Sequence, residues 1–214
     1  MSDIFREVDE DLRRDRLAQI WKNYGGLIIA GAVAVVLATA GTTAWRNWQA
    51  SRAAEQTTAL VGAIDRASSA PGAAADALAA LVPQLGNGRA VVARLHEAGL
   101  RATAGDREAA VRLYDAIAAS DAEAVYRDLA TLLSVMNQLE TGDPAALKGR
   151  LGPLSQPGGA WRHSARELEG LLAIRTGDTA EAGRIFRGLA DDAEAPAGLR
   201  GRAAELAALN GDAK

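Results

Sequence analysis

Cysteine is absent from the chain, which excludes disulfides, thiol nucleophiles and cysteine-ligated metal sites. That absence fits an oxidising compartment as well as a reducing one, so it does not decide location. Histidine occurs only at His96 and His163, and neither has a second ligand four residues on, which removes the HExxH zinc pattern. Both are expected on the surface or partly packed. No GxSxG elbow and no Walker loop are present. The stretch GNGRAVV, Gly86 to Val92, has the outline of a phosphate-cradling turn but lacks the third glycine and a preceding strand. No catalytic residue, cofactor or metal is therefore expected. Aromatic residues make up only 4% of the chain, and β-branched runs of strand length are missing beyond residue 45, so an all-α fold of closely packed, alanine-rich helices is expected.

An excess of either charge is missing too. After the first 45 residues, 19 Lys and Arg face 21 Asp and Glu, with no basic stripe, which argues against nucleic acid as a partner. Those 169 residues suffice for one domain with a core of its own.

Charge is wholly missing from one stretch, and there the absence is informative. Between Tyr24 and Trp45 lie twenty uncharged positions. As a helix, the step from Trp21 to Trp45 covers roughly 36 Å at about 1.5 Å per residue. That exceeds the hydrocarbon core of about 30 Å. Trp21 and Tyr24 at one end, and Trp45 and Trp48 at the other, stand where membrane-interface aromatics belong. Leu27, Ile28, Ile29, Val33, Val35, Val36 and Leu37 contribute roughly −2 to −4 kcal/mol to insertion, a modest drive. The triplet Ala38–Ala40 has the small-x-small spacing of a signal cleavage site. The 23 residues before the run carry acids as well as bases, however, and the run exceeds the 7–15 residues of a signal core. An uncleaved transmembrane helix over 24–45 is expected.

Orientation follows from basic residues. Arg6, Arg13, Arg14, Arg16 and Lys22 precede the span, whereas only Arg46 and Arg52 lie in the twenty residues after Ala44. Five against two places the N-terminus in the cytoplasm and the remainder across the membrane. Residues 1–23 form a charged amphipathic segment, with Ile4, Phe5, Val8 and Leu12 on one side, then Leu17, Ile20 and Trp21. It is suited either to the leaflet surface or to a cytoplasmic partner. Within the span, Gly26, Ala30, Ala34 and Ala38 recur every four residues, a track that lets helices approach closely. Small residues are common in spans anyway, and the sequence does not choose between the two readings.

Beyond residue 45 a turn signal recurs. Gly105-Asp106, Gly142-Asp143, Gly177-Asp178 and Gly211-Asp212 have glycine spacings of 37, 35 and 34, and Gly72 extends the series by 33. A period near 34 residues built from two helices is the tetratricopeptide signature. The glycine is expected to close the first helix in the left-handed conformation and the aspartate to cap the second. Ala110, Leu113, Tyr114 and Ile117 follow Asp106 at the offsets at which Ala182, Ile185, Phe186 and Leu189 follow Asp178. Val125, Leu129, Leu132, Met136 and Leu139 mark the apolar stripe of an intervening first helix. The glycine- and proline-rich stretch Leu151–Trp161 reads as a loop interrupting the array, a hinge or contact site. Residues 46–69 read as a long connecting helix, and 70–214 as the helical repeat domain.

A short charged segment, one span ending in WxxW (Trp45, Trp48) and a tetratricopeptide-like domain together resemble the bacterial YfgM family. The stretch GGAWRHSARELEGLLAIRTGDTAEAGRIF, Gly158 to Phe186, is most similar to the family's late repeat. The resemblance implies a single-pass protein of the cell inner membrane with a periplasmic repeat domain. It also implies an ancillary, non-enzymatic subunit of the SecYEG translocon that passes exported polypeptides to periplasmic chaperones. The alternative is a cell-envelope assembly or regulatory protein whose repeats bind one folded partner or form a homo-oligomer.

Overall fold

The computed structural model describes residues 3–211, for 3–20 as backbone alone. The apolar side of the N-terminal segment and Asp212 therefore lie outside what is described. The described residues form helices joined by turns, without strands. They are α1 (Asp3–Asp65), α2 (Pro71–Leu81), α3 (Asn87–Thr103), α4 (Arg107–Ala118), α5 (Ala124–Asn137), α6 (Pro144–Leu151), α7 (Arg162–Arg175), α8 (Thr179–Ala190) and α9 (Ala197–Gly211), with 3-10 turns at Arg66–Ser68 and Val82–Gln84. The chain divides into two compact units, residues 1–55 and 56–214.

In the first unit, α1 contains no proline, and none of its most apolar 18-residue window is buried. It is the one described helix long and apolar enough to cross a membrane, with a mean hydropathy of 2.1 over its most apolar window. Its threonines carry hydroxyls that hydrocarbon cannot satisfy, and the helix satisfies them itself. Thr39 donates to the Val35 carbonyl (2.8 Å), and Thr42 and Thr43 both donate to that of Thr39 (3.0 and 2.8 Å).

In the second unit, helices pair antiparallel around the Gly-Asp turns. Gly105 (φ +91°) and Gly177 (φ +78°) are left-handed. There the chain closes α3 and α7 with the paired bonds of a Schellman motif: Gly105 N–H to Ala102 O and Asp106 N–H to Arg101 O, then Gly177 N–H to Ile174 O and Asp178 N–H to Ala173 O. Gly142 departs from this expectation and is not left-handed. After α5 the chain makes another turn, and the Gly142 N–H bonds Gln138 O at 2.8 Å. Space favours glycine there instead, since a Cβ would lie 3.1 Å from both Gln138 O and the Leu147 side chain. Gly211 is the last residue of α9. Each described aspartate caps the helix that follows. Asp106 accepts from Ala109 N–H, Asp143 from Ala146 N–H and Asp178 from Glu181 N–H, at 2.9–3.0 Å.

Counted from that aspartate, the same positions are buried in every pair. Thirteen residues before it stand Ala93, Ala130 and Ala165, all fully buried. Four after it come Ala110, Leu147 and Ala182, and eleven after it Ile117, Leu154 and Leu189. Eight before it and eight after it, one helix faces its partner, and the sizes compensate: Ala98 with Tyr114, Val135 with Leu151, Gly170 with Phe186. Burying each larger member contributes about 1.5–3 kcal/mol. The Gly152-Pro153 pair ends α6 at Leu151, because proline lacks the N–H that would continue the ladder. The loop that follows is packed: Leu154 keeps its core position and Trp161 packs on the same cluster.

The apolar stripe read on α5 is divided between core and solvent. Leu132 is buried and Leu139 packs on the same cluster, whereas Val125 and Met136 are 41% and 50% exposed. Ala130 and Ser134 lie against α4.

Gly170→Ala is expected to destabilise the repeat domain by about 1–3 kcal/mol, since the new Cβ would lie 2.6 Å from the Phe186 ring. Phe186→Leu in the same chain should restore part of the loss. Denaturant unfolding of the single and double variants checks both.

Candidate interaction surfaces

On α1 the aromatic residues Trp21, Tyr24, Trp45 and Trp48 are exposed. Gly26, Ala30, Ala34 and Ala38 present an open track, and a Cβ at Gly26 would meet nothing within 4 Å. Trp21 lies over Gly25, where a Cβ would sit 3.4 Å from the indole. Trp45 and Trp48 have ring centroids 5.2 Å apart, and the Arg52 guanidinium stands 4.2 Å over the Trp48 ring. The cation–π contact lets a charged group rest against an aromatic that prefers a water–lipid boundary.

In the repeat unit, first helices touch first helices along the array: α3 meets α5, α5 meets α7 and α7 meets α9. Eleven, seven and four residues before the capping aspartate, these helices carry Leu95, Gly99 and Ala102 on α3. The same offsets give Leu132, Met136 and Leu139 in the α5 repeat, and Glu167, Leu171 and Ile174 on α7. This face differs from the one that packs on the second helices. All of it but Leu132 keeps solvent contact, and only Glu167 is charged, paired with Arg202 at 2.9 Å. The stripe read on α5 belongs to this face. Its extension across α3 and α7 becomes visible only when the three repeats are aligned on their aspartates.

Polar links tie one repeat to the next. Arg107 pairs with Glu140 (3.0 Å), Arg150 with Asp115 (2.6 Å), and Arg175 donates to the Leu139 carbonyl (2.8 Å). Asp115 also accepts from the fully buried Ser134 hydroxyl. At the start of α7, Arg162 pairs with Asp192 and Glu194, and His163 Nε2 lies 3.1 Å from Asp192. A bond from the Glu194 backbone N–H, helped by His163 and Arg162, holds the Asp192 carboxyl below its usual range. His163 is thus part of an inter-helix cluster, whereas His96 is exposed. No group of three His, Asp or Glu residues placed to hold a metal occurs among the described residues.

Successive repeats also meet where the start of a first helix lies beside the loop entering the next, and the three such junctions are filled differently. Between α5 and the loop before α7, Trp161 closes the gap, its indole N–H donating to the Val125 carbonyl at 3.0 Å. Between α7 and the loop before α9, the Arg162–His163–Asp192–Glu194 cluster does so. Between α3 and the loop before α5, a cleft of about 370 Å³ stays open, lined among others by Leu85, Gly88, Val91 and Tyr126.

A family model described as a tetratricopeptide repeat-like domain matches residues 18–199. No curated protein and no solved structure matches the chain.

Glu97 on α3 is 7% exposed, and burial pushes its carboxyl above the ordinary range, opposed by Arg101 at 3.9 Å. A raised folded-state value means that protonation favours the fold, so the carboxylate is a liability that grows as pH rises through that value. Glu97→Gln is therefore expected to raise Tm at pH 7, with the gain shrinking towards pH 4. Arg101 keeps Asp76 as its partner at 2.7 Å in the variant. Thermal melts of both proteins across that pH range check the sign.

Proposed function

The chain belongs to the tetratricopeptide repeat-like domain family, and from that premise we propose that it is a membrane-anchored scaffold holding its repeats out to unfolded exported polypeptides. Repeats of this kind are protein-interaction modules and generally lack enzymatic activity. The observation that carries the finer reading is the apolar first-helix face running from Leu95 through Met136 to Ile174, partly buried at its ends and exposed at Met136. A soluble domain gains nothing by leaving such a surface wet, and an extended apolar segment would cover it. Its sparse charge suits clients that differ in sequence but share hydrophobicity.

The span over 24–45 anchors the chain in the inner membrane, N-terminus in the cytoplasm and repeats in the periplasm. The five-to-two excess of basic residues before it supports this orientation. The Gly26–Ala30–Ala34–Ala38 track docks laterally on the SecYEG translocon, and the repeat domain passes emerging chains to periplasmic chaperones, as the YfgM resemblance implies. A second reading, capture of a single folded envelope partner, rests on the same face and differs in what is bound.

Affinity purification of the full chain in mild detergent tests the docking half. Translocon subunits are expected with the native span and lost when Gly26, Ala30 and Ala34 become Leu. Recovery unaffected by those changes would show that the helix is a tether only. For the client half, Met136→Asp, at an exposed position, should reduce binding of a reduced, unfolded model protein about tenfold while the melting curve is kept.

A further inference from the structure

Resting on the reading of the repeats as a polypeptide-binding scaffold, we infer a second, separate seat: the open junction between α3 and the loop before α5 receives an aromatic side chain of the bound polypeptide, with a basic residue beside it. The inference comes from comparing equivalent positions one repeat apart. Relative to the capping aspartates, Tyr126 stands where Trp161 stands, and Gly88 stands where Val125 stands. At the later junction the Trp161 indole lies against α5 and bonds the Val125 carbonyl. At the earlier one both side chains are smaller, phenol for indole and hydrogen for isopropyl. The volume they fail to fill is the 370 Å³ cleft. A Cβ built on Gly88 meets nothing within 4 Å, so the space lies directly over the helix start.

The chemistry of the walls selects the occupant. Leu85 and Val91 with the Tyr126 ring offer an apolar slot wide enough for a planar ring. Asp121 and Glu123, exposed on the loop side, form no ion pair among the described residues, while Arg94 on α3 is the one cation in the lining. Two carboxylates against one guanidinium favour a client cation next to the inserted ring. An extended chain satisfies both demands with neighbouring residues. This seat is distinct from the first-helix face, since none of its lining belongs to the positions eleven, seven and four before the aspartate.

The test uses the full chain in detergent and a Gly/Ser peptide carrying one benzoylphenylalanine flanked by lysines, photo-crosslinked and mapped by mass spectrometry. Crosslinks are expected within 85–91 and 120–126. They should fall about tenfold in Gly88→Val with Tyr126→Trp, which recreates the filled junction, and persist in Met136→Asp. Open space over Gly88 means that the filled variant should melt no lower than the native chain, so loss of crosslinking will not reflect unfolding. Crosslinks confined to the first-helix face, or unchanged in the filled variant, overturn the second seat and leave the scaffold reading standing. No repeat-domain crosslink at all overturns both.

Discussion

Three hydrogen bonds of one kind govern the repeat domain: a carboxylate oxygen of Asp106, Asp143 or Asp178 accepting from the backbone N–H three residues on. Each starts a second helix after a turn of three to six residues, short enough to bring the two helices back antiparallel and in contact. Contact at that distance forces size matching, so a ring on one helix needs almost nothing opposite it. Phe186 over Gly170 is the extreme case, and Leu151 with Val135 the balanced one. Stacking then repeats the same buried positions in each pair, and the glycine ahead of each aspartate is tolerated because the turn or the packing requires it.

What the shared plan leaves free is the filling between repeats. One junction is closed by an indole, one by four charged or titratable side chains and one stays open. The entering loops differ in length too, 119–123, 152–161 and 191–196, while the helix pairs keep one plan, so the junctions are where the surface changes what it can receive. The first-helix face follows the same logic. Fully buried positions on the first helices include the small Ala93, Ala98, Ala130 and Ala165, whereas Leu95, Leu139, Leu171 and Ile174 rest on the core clusters and keep one side in solvent.

The apolar helix obeys a different rule. Its drive for insertion is small because alanine, glycine and threonine dilute the branched residues. It offsets this by leaving no polar side chain in the run unsatisfied, each described threonine hydroxyl there bonding a carbonyl one turn back. Aromatic side chains at Trp21, Tyr24, Trp45 and Trp48 bracket the uncharged stretch, and Arg52 over Trp48 closes it with a charge that stays in contact with a ring.

The helical class, the apolar helix near the N-terminus and the two-helix period could all be read from the chain, because each is a local pattern. An uncharged run, a Gly-Asp spacing and a matched register after Asp106 and Asp178 need no knowledge of what lies across the fold. Which side of α5 is covered was not legible, since an apolar stripe looks the same whether it faces a partner helix or water. Gly142 shows the limit at a single residue: it shares the Thr-Gly-Asp triplet of Gly177, yet it is not left-handed, and Leu147 and Gln138 crowd it. The open junction beside Gly88 is further still from the sequence. It exists because two residues 38 positions apart, Gly88 and Tyr126, are each smaller than their counterparts one repeat on, and only tertiary contact adds those two deficits into one space.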